Sequence, residues 1–255
     1  MRASLVIPTL NEERSIGHVL ETFRGAVEAD DRNAAPADRI EWEVLVIDGR
    51  STDRTVEEAR ARGARVVVEP RRGYGRAYRT GFASASGEII ATSDGDATYP
   101  VETIPGLVRR LEREHLDFIT GNRLAYLAPR AMSTEHRIGN RVLNLTTGLL
   151  YHRWVARLPE ATLHDSQSGL WVFRRKILDR LRLTQSGMQL SEEIKIEVLI
   201  HGLRATEVPI PYRERWGAPK LSSWRDGMAN LRFLIAKRVQ LERELREERT
   251  DAAPA

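Results

Sequence analysis

The sequence predicts an α/β fold, a mostly parallel sheet with helices on both faces and a further group of helices toward the C-terminus. Three observations predict it. Short apolar runs alternate with helix-period patterns through the first half of the 255 residues. The second half loses that alternation and carries long helical patterns instead. Carboxylates collect where the apolar runs of the first half stop, which places them on one rim of such a sheet.

Taken in order, residues 3–7 read as a strand, and 12–28 as a helix with Ile16, Val19, Leu20, Phe23 and Val27 on one face. The polar, proline-containing stretch 30–38 reads as a loop. A second strand follows at 43–47, then a helix over 52–62 that Gly63 stops. Residues 65–69 are a third strand, 75–86 a helix ending before Gly87, and 88–93 a fourth strand. A helix over 101–114 begins just after Pro100, and 117–120 is a fifth strand. Beyond it, 134–155 reads as one long helix, 169–173 as a short strand, and 175–181 and 192–200 as helices. Residues 204–215 read as two short strands pinned by Pro209 and Pro211, and 222–248 as a long charged helix before a frayed tail.

With 41% hydrophobic and 30% charged residues, the composition is globular and excludes global disorder. Cysteine is absent, which excludes disulfides, thiolate metal sites and a cysteine nucleophile and fits a cytosolic address. The N-terminal apolar run is too short for a signal peptide, and no window has the apolar length of a membrane span, so neither export nor spanning is expected. The formal charge of +4 is carried almost wholly by Arg, the only lysines being Lys176, Lys195, Lys220 and Lys237. That balance permits an anionic partner such as a nucleotide, a lipid phosphate or a membrane surface. No nucleic-acid-binding motif is present, so no nucleic acid partner is expected.

The sharpest local feature is Asp94-Gly95-Asp96, whose carboxylates can turn toward one hard divalent ion. Asp48 closes the second strand in the same way, and capping accounts poorly for these acids because they precede their helices by several residues. Asn11, Ser51 and Asp53 are equally readable as helix N-caps. Gly73-Tyr74-Gly75 lacks the dinucleotide fingerprint, and the first strand–helix turn has no glycine, which argues against a Rossmann oxidoreductase. Arg71, Arg72 and Arg76 around that turn suit a diphosphate or, alternatively, form a solvated basic loop. His115, His136, His152, His164 and His201 show no ligand spacing.

Four ordered motifs, Pro8-Thr9-Leu10-Asn11-Glu12-Glu13, Asp48-Gly49-Arg50-Ser51-Thr52-Asp53, Arg72-Gly73-Tyr74-Gly75-Arg76-Ala77 and Asp94-Gly95-Asp96-Ala97-Thr98-Tyr99-Pro100, resemble the family 2 inverting glycosyltransferases of GT-A fold. Within them the sequence is most similar to dolichyl- or polyprenyl-phosphate sugar synthases of mannosyl and glucosyl type. Asp165-Ser166-Gln167-Ser168-Gly169 resembles that subgroup's acceptor-side motif, and Glu207-Val208-Pro209-Ile210-Pro211-Tyr212 with Lys220-Leu221-Ser222 its C-terminal signature. The resemblance covers about residues 3–225.

The resemblance implies a GT-A domain over 1–222, with a donor half to about residue 121 and an acceptor half beyond it, then an amphipathic helix and tail over 223–255. Pro8, Leu10, Glu12 and Asp48 would hold the nucleoside. Asp94 and Asp96 would bind Mg²⁺ or Mn²⁺ on the sugar-nucleotide diphosphate, with Asp96 central to catalysis, and Arg72 and Arg76 would lie against the diphosphate. Arg123 and Arg137 match positions that grip a lipid-phosphate acceptor. Arg215 and Lys220 match a loop that closes over the donor. Glu193 matches an acid that serves as general base or positions the acceptor, and Gln167 and Ser168 read as sugar-hydroxyl contacts or loop-shaping groups. The glycine-turn variant favours a UDP-sugar donor. A soluble hydroxyl acceptor, a catalytically silent nucleotide-sugar-binding protein and a phosphohydrolase are the rivals.

A polyprenyl phosphate lives in a bilayer, so a peripheral enzyme at the cytoplasmic face is expected. The apolar helix after Thr134 is expected to line the acceptor groove and touch the membrane. The basic amphipathic terminal helix either lies at an anionic interface or packs on the domain or on a second subunit of a homodimer.

Overall fold

The computed structural model describes residues 1–159, 162–217 and 223–251. Its strands are β1 (Arg2–Thr9), β2 (Glu41–Asp48), β3 (Arg65–Val68), β4 (Ile89–Thr92), β5 (Phe118–Leu127), β6 (Trp171–Arg174) and β7 (Ala205–Tyr212). Its helices are α1 (Ile16–Asn33), α2 (Thr55–Ala61), α3 (Tyr74–Ser84), α4 (Ile104–Arg113), α5 (Thr134–Leu150), α6 (His152–Val155), α7 (Leu190–Ile200) and α8 (Ser223–Asp251). The strands form one sheet in the order β3-β2-β1-β4-β6-β5-β7. All neighbours are parallel except at β6, which runs antiparallel to both β4 and β5.

The chain steps outward from β1 through β2 to β3 and then returns to place β4 on the other side of β1. That reversal opens a crevice beyond the carboxyl ends of β1 and β4, where open α/β sheets take their ligands. β1 is flanked on both sides and covered on both faces, which is why Ala3, Leu5, Val6 and Ile7 are all fully buried. Leu5, Ile7 and Val46 face one core layer with α1 and α4, while Val6, Leu45 and Ile47 face the other with α3 and α7. A third apolar cluster joins Leu143, Tyr151, Trp154, Leu199, Leu234 and Leu241, so α5, α6, α7 and α8 pack on one another beside the sheet.

Several boundaries differ from the sequence reading. α1 starts later, because residues 11–15 form the turn off β1, and runs on to Asn33, where the loop was expected; Asp30 at that end is held by Arg109 through two contacts of 2.6 Å. The expected long helix breaks at Tyr151, whose buried hydroxyl donates to Leu234 O at 2.8 Å. Residues 205–212 are one strand rather than two. β7 is at the sheet's edge, where the missing N–H groups of Pro209 and Pro211 are tolerated, and a register shift opposite residues 122–126 absorbs the irregularity. The terminal helix is docked on the domain: Leu234 is fully buried, Lys237 pairs with Glu197, and the Arg238 guanidinium lies 5.1 Å from the Trp154 ring centre.

Candidate active site

The turns leaving β1, β2 and β4 share a strained backbone. Asn11 (φ 53°), Arg50 (φ 65°) and Ala97 (φ 65°) all occupy the left-handed region, which costs roughly 1–2 kcal/mol for a residue with a Cβ. Cross-links between the turns hold them there. Asn11 Oδ1 accepts from Thr52 N at 2.8 Å, Glu12 N donates to Thr55 Oγ1 at 2.7 Å, and Ser15 Oγ donates to Gly95 O at 2.7 Å. Gly95 must be glycine for this approach, since a Cβ there would lie 2.8 Å from Thr9 Cγ2. Leu10 is exposed at the same edge, and a Cβ on Gly49 would come within 3.8 Å of its Cδ1. Pro8, paired with Ile47 in β2, contributes the backbone beside Gly95.

On this rim the acids converge. Asp48 is buried, with Oδ2 accepting from Ser51 N at 3.1 Å and Oδ1 without a partner among the described residues. Asp96 is buried, and its Oδ1 accepts from Thr98 N at 3.1 Å and Thr98 Oγ1 at 2.6 Å. Its Oδ2 lies 3.2 Å from Arg215 Nη2, which also lies 3.1 Å from Glu12 Oε1. Asp94 Oδ1 accepts from the hydroxyls of Tyr74 at 3.1 Å and Tyr78 at 3.2 Å. Burial, and then the neighbouring Asp96, push the Asp94 carboxyl up to about 7 even though Arg215 pulls it down. Burial and the Asp94 charge hold both phenols above their usual range, so they act as donors.

Arg215 reaches the acids on a segment that crosses the rim after β7. Arg213 N donates to Thr98 O at 2.9 Å, Trp216 N donates to Asp96 O at 3.1 Å, and Trp216 stacks on His18 of α1 at 4.6 Å. Arg215 Nε is buried without a partner among the described residues. Lys220 lies outside the described residues.

The acceptor-side motif forms a buried loop next to this cleft. Arg123 on β5 makes a two-point ion pair with Asp165, Nε and Nη2 each 2.8 Å from a carboxylate oxygen. Burial opposes the Asp165 charge, yet Arg123 and then Lys195 hold it below the usual carboxylate range. Arg123 also lies 5.3 Å from the Tyr212 ring centre, and Tyr212 packs edge-on against Tyr99 at 5.4 Å, which links the pair to the Asp94-Gly95-Asp96 turn. Lys195 of α7 donates from Nζ to the carbonyls of Asp165, Ser166 and Ser168 at 3.1, 2.9 and 2.9 Å. Burial pushes that ammonium down to about 7, and the neighbouring Asp165 counters it.

Other expected site residues sit differently. Glu193 is buried, and its carboxylate accepts from Thr184 N, Gln185 N and Thr184 Oγ1 at 2.9, 2.9 and 2.7 Å, so it anchors that loop's backbone. Ser168 is fully buried and Gln167 bonds to Glu192 and Asn230, which makes both loop-shaping groups. Arg76 donates to Ser186 Oγ at 3.1 Å, Arg71 is paired with Glu69 at 2.8 Å, and Arg72 is exposed. The glycines of that turn serve packing: a Cβ on Gly75 would lie 2.7 Å from both Gln185 O and Gly187 O. Arg137 is exposed in the first turn of α5, with no side-chain ion pair among the described residues. Sequence reasoning missed Tyr74, Tyr78, Tyr99, Asp165 and Lys195. For Tyr74 and Tyr78 the signal was their four-residue spacing on one helix face.

The carboxylates fit a hard divalent ion of the kind the fold implies. Among the described residues no group of three or more His, Cys, Asp or Glu side chains is placed to hold a metal. Asp94 and the buried Asp96 offer two carboxylates at the carboxyl end of β4, the donor number Mg²⁺ prefers when substrate phosphates complete its shell. Burial is the larger cause of the raised Asp94 carboxyl, and the neighbouring Asp96 charge, the second cause, is the part that a cation would offset.

Comparison with known proteins agrees with this geometry. The model of the family described as glycosyl transferase family 2 matches residues 4–182. The chain is 34% identical over 246 residues to the dolichyl-phosphate hexose transferase of Haloferax volcanii, covering 95% of this chain and 96% of that protein. It is 33% identical over 234 residues to the low-salt glycan biosynthesis hexosyltransferase Agl6 of the same organism, where it spans only 52% of the relative's length. It is 29% identical over 190 residues to the dodecaprenyl-phosphate galacturonate synthase of Rhizobium johnstonii, 72% of this chain and 51% of that protein. Among solved structures, glucosyl-3-phosphoglycerate synthase from Mycobacterium tuberculosis, in complex with Mn²⁺, UDP and glucosyl-3-phosphoglycerate, superposes with a TM-score of 0.69 at 24% identity, over 92% of this chain and 77% of that one. The fold is therefore that of the GT-A glycosyltransferases.

Proposed function

The chain belongs to glycosyl transferase family 2, and from that premise we propose that it moves a hexose from a nucleotide sugar to a polyprenyl or dolichyl phosphate, with inversion at the anomeric carbon and with Mg²⁺ or Mn²⁺. The observation that carries the reading is the convergence of Glu12, Asp94, Asp96 and Arg215 at the crevice between β1 and β4. The near full-length likeness to a dolichyl-phosphate hexose transferase supports the acceptor.

The orphaned Asp48 Oδ1 offers an acceptor to a nucleoside base N–H, between Pro8, Leu10 and Glu12. Asp94 and Asp96 hold the divalent ion, which supplies Lewis-acid stabilisation of the departing diphosphate. Arg215 contributes a second positive charge there. Arg72 and Arg76 flank the turn that carries Tyr74, whose hydroxyl donates to Asp94. Arg123 is committed to Asp165 through Nε and Nη2, and Nη1 is the group left for the acceptor phosphate. Arg137 is the second cation proposed for that phosphate.

The acceptor oxygen forms the new bond to C1 on the face opposite the nucleotide, and the C1–O bond to the diphosphate breaks with its electron pair leaving on the diphosphate. A phosphate monoester loses its second proton near pH 6, so its oxygen is a nucleophile without a base. Catalysis then rests on placing two anions and stabilising the leaving charge. The soluble-hydroxyl rival needs a general base, and the commitment of Glu193 to the 184–185 backbone supports the phosphate acceptor instead.

Membrane contact follows from the acceptor. α5 exposes Ile138, Val142, Leu145 and Leu149 along one stripe, and α8, packed beside it, exposes Met228, Ile235 and Val239. Exposed Arg137, Arg141, Arg153, Arg232 and Arg243 accompany them, the pattern of a surface that lies on anionic lipid. Among the described residues no helix is long and apolar enough to cross a membrane.

The test is incubation with polyprenyl phosphate, Mn²⁺ and a panel of radiolabelled sugar nucleotides, followed by organic extraction. Label in the organic phase is expected. Label that stays aqueous on a soluble acceptor, or release of inorganic phosphate alone, overturns the reading.

A further inference from the structure

The 164–169 loop is held by side chains from helices distant in sequence. From α5, Asn144 Oδ1 accepts from Ser166 N at 2.8 Å and from Ser166 Oγ at 2.7 Å, and its Nδ2 donates to His164 O. From α8, Asn230 Nδ2 donates to Gln167 Oε1 at 2.8 Å. Asn230 is only 4% exposed. The Gln167 carboxamide is therefore clamped between Asn230 and Glu192 of α7. Asn230 Oδ1 and Glu192 Oε2 are buried without hydrogen bonds among the described residues, so the junction is under-satisfied on both sides. The same loop carries Asp165, which orients Arg123. The same two helices, α5 and α8, carry the exposed apolar stripes.

These contacts form one unbroken path: apolar stripe, helix, asparagine, loop, Asp165, Arg123. We infer that Asn144 and Asn230 are positioning residues for the transfer, joining the two helices that meet the lipid surface to the loop that orients Arg123, so that seating of the helix pair sets the loop. The inference rests on the lipid-phosphate reading. Neither asparagine touches substrate in it; each acts through the loop. Removing the three Asn144 contacts, or the one buried Asn230 bond, frees the loop without dismantling the sheet, because the Arg123–Asp165 pair and the three Lys195 contacts remain.

The test measures hydrogen exchange of the loop amides in the full chain, with and without phosphatidylglycerol vesicles. It also measures transfer to polyprenyl phosphate in those vesicles and to a short-chain, water-soluble polyprenyl phosphate. In the wild type, vesicles should slow exchange at Ser166 and Gln167 and raise kcat above that with the soluble acceptor. In Asn144→Ala and Asn230→Ala, loop exchange should rise roughly tenfold and lose its vesicle response. Their kcat on the vesicle-borne acceptor should fall roughly tenfold, with UDP–Mn²⁺ affinity and KM for the sugar nucleotide unchanged. The near-isosteric Asn230→Leu, which cannot donate to Gln167, should behave like Asn230→Ala and covers the case in which the alanine variant fails to fold. Variants that melt earlier but keep the wild-type loop exchange, vesicle response and kcat overturn the inference. A wild type that labels no lipid while its loop still responds to vesicles overturns the lipid-phosphate reading and not the positioning.

Discussion

Asp96 answers two neighbours at once, giving Oδ1 to Thr98 and Oδ2 to Arg215. Truncating it removes one of the two carboxylates proposed for the metal and breaks the contact that Arg215 makes with it, leaving that guanidinium to Glu12 and Asp94. Asp96→Ala should therefore lower transfer at least about a hundredfold while UDP still binds, a cost in the range of a lost charge-stabilising group; near-normal transfer would remove the acid from the metal assignment. Arg50 presents the reverse case. It is exposed and left-handed at φ 65°, and its side chain makes no hydrogen bond or ion pair among the described residues that would offset the backbone strain. Arg50→Gly should raise unfolding free energy by about 1 kcal/mol in urea titration, and a drop would show that its guanidinium has a partner worth more than the strain.

At the scale of elements, the β3–α3 connection is held by a single carboxylate. Glu69 accepts from Arg71 Nε at 2.8 Å and from Thr80 Oγ1 at 2.5 Å, tying the strand's end to the helix. The hydrogen bonds from Arg71 and then Thr80 lower its carboxyl from an ordinary 4.5 to about 2. A lowered folded-state value means stabilisation that is fully present above pH 4.5 and is lost as the pH falls toward 2. Glu69→Gln should flatten that part of the acid-denaturation profile; an unchanged slope would place the acid sensitivity elsewhere. The existence and order of elements were legible where the pattern was local, as in the first four strand–helix units, whereas the ends of α1 were not, because the turn off β1 and the Arg109–Asp30 pair set them. The direction of β6 and the continuity of β7 were not, because they are decided by sheet neighbours rather than by the segment's own residues. The same limit hid half of the site. Strand-end logic located Asp48, Asp94 and Asp96, whereas Arg123 meets Asp165 across 42 residues and Asn230 meets Gln167 across 63, spacings that no periodicity announces.

For the whole molecule, α5 and α8 pack on each other and each exposes an apolar stripe. The protein should co-sediment with anionic vesicles, less so as salt rises, because both apolar insertion and arginine attraction contribute. Leu145→Glu combined with Ile235→Glu should abolish sedimentation and leave the melting temperature unchanged. Failure of the wild type to bind under any salt condition, with a dimer in solution instead, would assign the face to a second copy.

Arg215 stands on Glu12 and Asp96 before any ligand arrives. The crevice thus carries its own tethered counter-ion, which the nucleotide of the proposed transfer must displace or share. When the spent diphosphate departs, that guanidinium is already at hand to quench the repulsion between bared carboxylates. In the proposed transfer, emptying the cleft then leaves Glu12 and Asp96 already paired, and Asp94 is the acid that still lacks a full counter-charge.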